Sequence, residues 1–150
     1  MSTYVAILED DVGRVGVMRE CLGSLLPQHK CAVFDNAAEM IAWLRSHIGD
    51  VVLVSLDHDL PLHQMRDGQR VDAGTGRMVA DHLAALAPTC PVIVHTSNEN
   101  FGPGMMRVLE DAGWTHCRVY PHEDCQWIRT SWADAIRRYI EGRSIVTAGA

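Results

Sequence analysis

Short apolar segments alternate along the chain with longer segments in which apolar residues recur every three or four positions. The short segments are rich in β-branched residues and are bounded by polar, Gly or Pro positions, which is typical of strands. They predict five strands, at Tyr4–Leu8, Cys31–Phe34, Val51–Leu56, Pro91–His95 and His116–Tyr120. The strands and the longer segments therefore follow one another as five βα units.

Each longer segment predicts one amphipathic helix, because its apolar residues fall on a single helical face. The five faces consist of Val15, Met18, Leu22 and Leu25; of Ala37, Ile41, Leu44 and Ile48; of Val79, Leu83 and Leu86; of Met105, Leu109 and Ala112; and of Ile128, Trp132, Ile136 and Ile140. Asn36 and Glu39 form a capping box that opens the second helix, and Gly142 is predicted to end the fifth. Strands that are apolar on both faces need helices on both sides, so the pattern predicts a doubly wound α/β domain with a parallel sheet.

The composition is that of a folded domain with its own core. With 150 residues, 47% of them hydrophobic and 21% charged, the chain predicts a single domain over residues 1–150. Apolar runs such as Val51–Val54 are far shorter than the roughly 20 residues that span a bilayer, so membrane insertion is not expected. The five cysteines are odd in number and form no CxxC pair, which indicates free thiols and a cytoplasmic protein.

The net charge of the chain limits its partners. Thirteen Lys and Arg against nineteen Asp and Glu leave a formal charge of −6. A broad basic surface of the kind that non-specific nucleic-acid binders use is therefore not expected. The remaining partners are a phosphate-containing small molecule, an RNA end or another protein.

Polar and ionisable residues collect at the ends of four of the five predicted strands. At the ends of the first, third, fourth and fifth strands in turn, they are Glu9, Asp10 and Asp11; Asp57, His58 and Asp59; His95, Thr96, Ser97 and Asn98; and Tyr120, His122, Glu123 and Asp124. In doubly wound sheets, ligands bind outside the carboxyl ends of the strands. The functional site is therefore predicted at this edge of the sheet.

The acids at this edge predict a bound cation. Glu9, Asp10 and Asp57 would repel one another if they came together without one, and their oxygens suit Mg²⁺. Three histidines lie at the ends of the later strands: His58, His95 and His122. Imidazole ligates Zn²⁺ or Mn²⁺, or acts as a general acid or base near neutral pH, and the residues alone leave these choices open.

The order of these landmarks resembles the receiver domains of two-component response regulators over nearly the whole chain. The Mg²⁺-binding acid pair, the phosphoacceptor aspartate, the proline shortly after it and the hydroxyl position are matched by Glu9 and Asp10, Asp57, Pro61 and Thr96. The resemblance implies a receiver, or flavodoxin-like, three-layer sandwich with strand order 2-1-3-4-5. One landmark departs from it: Tyr120 stands before Pro121 where receivers have a lysine that supplies positive charge to the phosphoryl oxygens.

Three further motifs resemble a narrower group, the cyclic-phosphate-processing receiver-like domains. They are Leu56-Asp57-His58-Asp59-Leu60, Gly74-Thr75-Gly76 at the start of the third helix, and His95-Thr96-Ser97-Asn98 on the fourth strand. This resemblance implies a metal-assisted phosphoesterase that acts on a cyclic phosphate, in a cyclic nucleotide or at an RNA end. The alternatives are a single-domain receiver that accepts phosphate on Asp57 and signals through a protein partner, and an interaction module without metal dependence.

Under the phosphoesterase hypothesis, the metal is expected to be Mg²⁺, with Mn²⁺ or Zn²⁺ as alternatives. The metal ligands are Glu9, Asp10 and Asp57; the catalytic residues are Asp57, His58, His95 and His122; and the phosphate-binding residues are Thr96, Ser97 and Asn98. The competing interpretations are a buried, hydrogen-bonded His95, and Asp59 and Asn98 as turn formers or helix caps. Trp132 is expected in the core, and residues 61–74 are expected to form a lid over the strand ends.

Overall fold

The computed structural model describes residues 2–149, with side chains described for residues 2–141. Its strands are β1 (Tyr4–Leu8), β2 (Lys30–Phe34), β3 (Val51–Leu56), β4 (Gln64–Arg66), β5 (Gln69–Val71), β6 (Val92–His95) and β7 (His116–Val119). Its helices are α1 (Val12–Leu25), α2 (Ala37–His47), α3 (Gly76–Ala84), α4 (Gly102–Asp111) and α5 (Ala133–Gly149), with single turns of 3₁₀-helix at Ile48–Asp50 and of π-helix at Ile128–Trp132. Within residues 2–149, none of the helices has the length and apolar character needed to cross a membrane.

The main sheet has five parallel strands in the order β2-β1-β3-β6-β7. Counted along the chain, this is the 2-1-3-4-5 order expected from the sequence, and the fold class is confirmed. Leu8 pairs with Leu56, and Leu56 pairs with Val94. The carboxyl ends of three neighbouring strands are therefore level, so that the residues that follow them lie side by side.

Each face of the sheet packs against its own helices. On one face, Val54 and Val94 lie in a core with α2, α3 and α4. On the other face, Ile93 packs with α1, α5 and the π-helical turn. Trp127 and Trp132 are fully buried in this second core, which confirms the core position predicted for Trp132. Because burying each large apolar side chain stabilises the fold by about 1.5–3 kcal/mol, both layers of helices are held firmly to the sheet.

Residues 61–74 contain an antiparallel hairpin formed by β4 and β5. Asp67 and Gly68 both have positive φ, 52° and 77°, in the two-residue turn between these strands. Arg66 forms ion pairs with Asp35 at 2.6 Å and with Glu39 at 2.8 Å. Residues 61–74 are the segment expected to act as a lid. The ion pairs attach this segment to the residue after β2 and to the first turn of α2, at the β2 side of the sheet.

The last helical segment differs from its predicted form at both ends. It opens with the π-helical turn Ile128–Trp132, and this turn brings the Trp132 indole to within 3.0 Å of the Ser55 hydroxyl on β3. It then continues through Gly142 to Gly149, so the predicted stop at Gly142 is wrong. Glycine inside a helix costs only about 1 kcal/mol relative to alanine, which does not suffice to end the helix here.

Candidate functional site

Three ionisable side chains meet at the carboxyl ends of the central strands. Glu9 follows β1, Asp57 follows β3 and His95 ends β6, and these three strands are neighbours in the sheet. One carboxylate oxygen or imidazole nitrogen of each lies within 4.8 Å of the others. Their exposed fractions are only 1%, 7% and 0%. We refer to Glu9, Asp57 and His95 as the buried cluster.

The Glu9 carboxylate is held by the start of α1. Its Oε2 accepts hydrogen bonds from the backbone N–H groups of Asp10 and Asp11 at 2.9 and 3.1 Å, and its Oε1 lies 3.3 Å from a guanidinium nitrogen of Arg14. Burial alone would raise the pKa of Glu9, but the close contact and charge of His95, with smaller contributions from the Asp11 N–H and Arg14, outweigh it. The pKa of Glu9 is therefore lowered, and this group is ionised near neutral pH.

The Asp57 carboxylate has the opposite electrostatic character. Its Oδ1 accepts the backbone N–H of His58 at 2.7 Å, and its Oδ2 lies 3.9 Å from Arg14. Burial, helped by the nearby negative charge of Glu9, raises the pKa of Asp57 to about 6, although His95, the His58 N–H and Arg14 oppose the shift. Two neighbouring carboxylates thus have pKa values displaced in opposite directions, an arrangement that is common in catalytic sites.

The His95 imidazole has one nitrogen in a structural contact and one facing the acids. Nδ1 lies 2.7 Å from the hydroxyl of Ser55, which also accepts a hydrogen bond from the Trp132 indole at 3.0 Å. Nε2 lies 3.3 Å from Glu9 Oε1 but is buried without a hydrogen-bond partner. The Trp127 ring stacks against the imidazole at 5.9 Å. The competing interpretation, a histidine bonded to a neighbouring strand, therefore describes Nδ1 but leaves Nε2 directed at the cluster.

Asp10 lies outside the buried cluster. Its side chain is exposed, and of the acids that follow β1 it is Glu9 that contributes a ligand atom to the group with Asp57 and His95. The chain turns away from the sheet at this point, because Asp11 already caps α1 by accepting the N–H of Arg14 at 2.9 Å. Partial burial, together with the charge of Glu9, raises the pKa of Asp10.

Arg14 is a site residue that the sequence analysis did not identify. Its guanidinium contacts both carboxylates of the buried cluster, Glu9 and Asp57, and lies 5.4 Å from the centre of the Trp127 ring. A single arginine on the first turn of a helix has no pattern that separates it from a solvated residue. The available signal is its place in the first turn after an acid-terminated strand, where its side chain can reach back to the strand ends.

Tyr120 occupies the place of the receiver lysine but supplies no charge to the cluster. Its ring is half exposed and packs under the guanidinium of Arg118, with 4.4 Å between that group and the ring centre. Arg14 is instead the cation that contacts Asp57. A positive charge therefore reaches Asp57 from α1, and not from the residue that follows β7.

A second group of side chains links the third and fourth predicted strand ends. His58 Nδ1 lies 3.1 Å from Asp59, and the Asn98 amide donates to the same carboxylate at 3.2 Å. The side-chain Oδ1 of Asn98 accepts the backbone N–H groups of Asn100 and Phe101 at 3.0 and 2.9 Å. The Phe101 ring stacks on the His58 imidazole at 4.6 Å. Asn98 therefore forms a turn before α4, whose N-cap is Phe101 without a side-chain capping bond.

The residues beside Asn98 have different environments. Thr96 is 1% exposed, and its hydroxyl accepts the Asn98 N–H at 3.1 Å. Arg118 donates to the carbonyl oxygens of Thr96 and Asn98 at 3.1 Å each, and this fixes the course of the loop. Ser97 is exposed on the other side of the loop. Of the three predicted phosphate-binding residues, Ser97 thus has the side chain that is open to a ligand.

An open cleft of about 620 Å³ adjoins the buried cluster through Arg14. It is lined by Arg14, Ser97, Pro121, His122, Glu123 and Asp124. His122 is exposed here, whereas His95 is buried and His58 is stacked on Phe101. The structure therefore places the three predicted catalytic histidines in three separate environments around one strand edge.

The Gly74-Thr75-Gly76 motif positions the chain segment that contains Asp57. A Cβ atom on Gly76 would lie 1.8 Å from the backbone oxygen of Asp57, and the Gly76 N–H donates to the His58 carbonyl at 3.0 Å. Gly74 has a positive φ of 77°. Thr75 is the N-cap of α3, and its side chain makes no capping hydrogen bond. The motif is explained by a close backbone approach, which requires glycine at position 76.

The donor set of the buried cluster fits a divalent ion. Two carboxylates and one imidazole converge, and the buried Nε2 of His95 has no other partner. A buried polar atom without a partner is costly, and coordination would satisfy it. Carboxylate oxygens suit Mg²⁺, whereas the added imidazole is a better ligand for Mn²⁺ or Zn²⁺.

Comparison with solved structures identifies the class of fold. The chain is similar to a CheY-like receiver domain from Methanospirillum hungatei, at 13% identity over 95% of this chain and 99% of that chain, with a TM-score of 0.63. It is also similar to the phosphorylated cyanobacterial phytochrome response regulator RcpA, at 18% identity over 93% and 94% of the two chains, with a TM-score of 0.64. CheY in the CheX-CheY-BeF3-Mg²⁺ complex of Borrelia burgdorferi matches at 13% identity over 89% of each chain, with a TM-score of 0.60. These likenesses establish the receiver fold.

Within that class, the chain belongs to the cyclic-phosphate processing Receiver domain family, whose model matches residues 5–111. The match includes the buried cluster and the His58 segment, and it ends before β7 and His122. A search of curated proteins finds no match. The family implied by the three sequence motifs is thus confirmed.

Proposed function

We propose that this protein is a metal-assisted phosphoesterase that hydrolyses a cyclic phosphate ester. The observation that carries the proposal is the buried cluster of Glu9, Asp57 and His95, in which His95 Nε2 lies 3.3 Å from Glu9 without a hydrogen bond and which adjoins the cleft through Arg14. Burying such charged groups costs free energy unless they are paired, hydrogen-bonded or coordinate a metal ion. The name of the family, cyclic-phosphate processing Receiver domain, agrees with this chemistry.

Glu9, Asp57 and His95 are the proposed metal ligands. When bound, a divalent ion would polarise phosphoryl oxygens and lower the pKa of a water molecule. Asp10, predicted as a ligand from the sequence, would assist from its exposed position beside Glu9. His95 is proposed as a ligand and not as a proton-transfer group, because its buried Nε2 lies 3.3 Å from Glu9.

The cleft is the proposed site of the phosphate group. The Arg14 guanidinium and the Ser97 hydroxyl both line it, and together they offer a positive charge and a hydrogen-bond donor to phosphoryl oxygens. Thr96 and Asn98 support this loop, because their side chains and carbonyl groups are held by internal hydrogen bonds. Ser97 is therefore the phosphate-binding residue of the three, and its neighbours position it.

Proton transfer is assigned to the two histidines outside the buried cluster. His122 is exposed in the cleft, where its imidazole can protonate a leaving oxygen. His58 follows Asp57 directly, and its Nδ1 is oriented by Asp59 at 3.1 Å. A carboxylate at Nδ1 fixes the ring and leaves Nε2 to exchange a proton. Opening a cyclic phosphate needs one acid and one base, and these two groups supply them.

The proposal is tested by metal titration and phosphoesterase assay of the same samples. After treatment with EDTA, Mg²⁺, Mn²⁺ or Zn²⁺ at about 100 times its Kd should raise Tm by roughly 5–10 °C, because binding to the native state alone adds RT ln(1 + [L]/Kd). Glu9→Gln should remove the shift, and Glu123→Gln, at an exposed cleft position, should retain it. Turnover of adenosine 2′,3′-cyclic and 3′,5′-cyclic phosphates is followed by phosphorus NMR. An unchanged Tm with all three ions, or turnover without metal, would contradict the proposal.

A second candidate function is phosphate-dependent signalling through a protein partner. It is favoured by the position of Asp57, which follows the central strand and lies 3.9 Å from the positive charge of Arg14. Acetyl phosphate with Mg²⁺ tests it by intact-mass measurement. A stable adduct of one phosphoryl group, absent from Asp57→Ala, would favour signalling over hydrolysis.

The five cysteines have free thiols, which supports a reducing, cytoplasmic location for either activity.

A further inference from the structure

Phe101 is an exposed aromatic residue at the margin of the site. Its side chain is 51% exposed, and it directly precedes α4. One face of the ring stacks on His58, with 4.6 Å between ring centres and 6° between ring planes. His58 directly follows Asp57, so the stacked pair of rings is attached to the chain segment that carries this aspartate of the buried cluster.

The position of Phe101 is fixed by a closed set of contacts. Asn98 accepts the Phe101 N–H at 2.9 Å and donates to Asp59 at 3.2 Å. Asp59 in turn lies 3.1 Å from His58 Nδ1, and His58 stacks on Phe101. The ring therefore has its orientation before any ligand binds. A surface that is already ordered loses little conformational entropy on binding.

The backbone around Phe101 is held from its other side as well. The Gly102 N–H donates to the Asn98 carbonyl at 2.8 Å, and the Arg118 guanidinium donates to the same oxygen at 3.1 Å. A Cβ atom on Gly102 would lie 2.5 Å from Arg118. Single exposed apolar side chains are ordinary on protein surfaces and need no explanation. Phe101 differs from such a residue, because two hydrogen-bonded segments and a stacked imidazole hold its ring in one orientation. This order does not serve core packing, since half of the side chain is exposed.

We propose that Phe101 is a stacking surface for a nucleobase, so that the substrate is a nucleotide whose cyclic phosphate lies in the cleft beside Arg14. This inference rests on the proposed function and adds to it the residue that would recognise the base of a cyclic nucleotide or nucleotide end. Every base has a π-face, so stacking on one ring accepts different bases. The negative charge of the chain agrees with a short ligand rather than a long nucleic-acid backbone.

The experiment compares probes with and without a base, in matched ring sizes. Adenosine 2′,3′-cyclic phosphate is paired with ethylene phosphate, and adenosine 3′,5′-cyclic phosphate with trimethylene phosphate. Kd and kcat/KM are measured for the wild type, Phe101→Ala, Phe101→Trp and the control Leu62→Ala, whose side chain is 72% exposed on the hairpin segment. NMR is used to detect contacts between adenine protons and the Phe101 ring in the full chain.

Phe101→Ala is expected to weaken binding of the adenosine probe by about 5- to 150-fold, the usual value of one stacked base, while the matching base-free probe is unaffected. Phe101→Trp and Leu62→Ala should retain the wild-type preference for the adenosine probe. Adenine–Phe101 contacts should appear with the ring size that the protein accepts, which distinguishes a 2′,3′-cyclic end from a 3′,5′-cyclic nucleotide.

Four results would overturn the inference. Equal losses on both members of a pair would assign Phe101 to positioning His58. Equal binding of the adenosine probe by the wild type and Phe101→Ala would remove the stacking role while leaving the phosphoesterase intact. The stacking role would also be removed if the wild type had the same Kd and kcat/KM for the adenosine probe and its base-free partner. Failure of the wild type to bind or convert any of the four probes would overturn the proposed function together with this inference.

Discussion

The buried cluster and the cleft lie at the same edge of the sheet and contain the same types of residue, but they differ in what surrounds their charges. In the buried cluster, two carboxylates and an imidazole are almost fully enclosed, with exposed fractions of 7% or less. In the cleft, His122, Glu123 and Asp124 are exposed to water. Arg14 contacts the first region and lines the second.

This difference shows that burial changes the pKa values of side chains that the two regions have in common. In the cluster, burial raises the pKa of Asp57 to about 6, while the contacts of Glu9 lower the pKa of its carboxylate. Water screens exposed charges, so the cleft keeps its acids and imidazole available for binding and proton transfer. The cluster is suited to hold an ion, and the cleft is suited to hold a substrate.

The largest expected difference between the two regions is in the effect of replacing their histidines. His122→Gln should lower turnover of a cyclic phosphate by about 10²- to 10⁴-fold, the usual value of a positioned proton-transfer group, and leave Tm unchanged because the side chain is exposed. His95→Gln should lower turnover by at least about 100-fold, lower Tm and abolish the metal-dependent rise in Tm. Parallel measurement of kcat, Tm and metal response checks both.

The control for this comparison is His63→Gln, at an exposed position on the segment before the hairpin, which should behave as the wild type. Two results would break the distinction between the regions. Full turnover in His95→Gln would remove the buried imidazole from the chemistry. A metal response lost in His122→Gln would place the ion in the cleft.

The next effect in size is a gain of stability from Asp57→Asn in EDTA. Because the pKa of Asp57 is raised in the folded state, its stabilising contribution is complete below about pH 4 and is lost as pH rises through about 6. Asn is uncharged at every pH, so the variant should be more stable than the wild type above pH 6. A shift of about two pKa units corresponds to at most about 3 kcal/mol.

Denaturant unfolding at pH 4 and pH 8 measures this effect. The two proteins should be nearly equal at pH 4, and Asp57→Asn should be more stable at pH 8. Glu123→Gln, at an exposed position in the cleft, should show no such difference. With saturating metal the order should reverse, because only the wild type retains the ligand. A variant less stable than the wild type at pH 8 in EDTA would show that the Asp57 charge stabilises the fold.

The parts of this site that follow from strand ends could be predicted from the sequence. Alternating strands and helices determine a parallel sheet, and its level strand ends place Glu9, Asp57 and His95 together. Asp10 follows the same strand as Glu9, but the sequence does not reveal that the chain turns into α1 there. The sequence pattern therefore located the edge of the sheet more reliably than the orientation of each side chain.

The parts that depend on side-chain reach or on very short elements could not be predicted. Arg14 joins the cluster because its long side chain folds back from α1, and helical periodicity does not encode that path. The strands Gln64–Arg66 and Gln69–Val71 have only three residues each, too few for an alternating pattern. Phe101 has its place because of Asn98, whose hydrogen bonds link distant segments. Each of these features depends on tertiary contacts.

The smallest expected effect comes from the ion pairs that hold the hairpin, and it tests whether the site extends that far. Arg66 pairs with Asp35 and Glu39 at the β2 side, and all three side chains are substantially exposed. Exposed ion pairs gain little, because water screens them and their side chains lose entropy. Arg66→Gln should lower Tm by about 2 °C or less, and high salt should reduce the difference from the wild type.

The control is Arg107→Gln, which removes a longer, more exposed pair with Asp111 at 4.0 Å. Turnover and the metal response should stay at the wild-type level in both variants, because the cluster and the cleft share no contact with Arg66 among the side chains described for residues 2–141. If Arg66→Gln instead raised KM for the cyclic phosphate with kcat unchanged, the hairpin would cover bound substrate after all, and the expected lid would belong to the site.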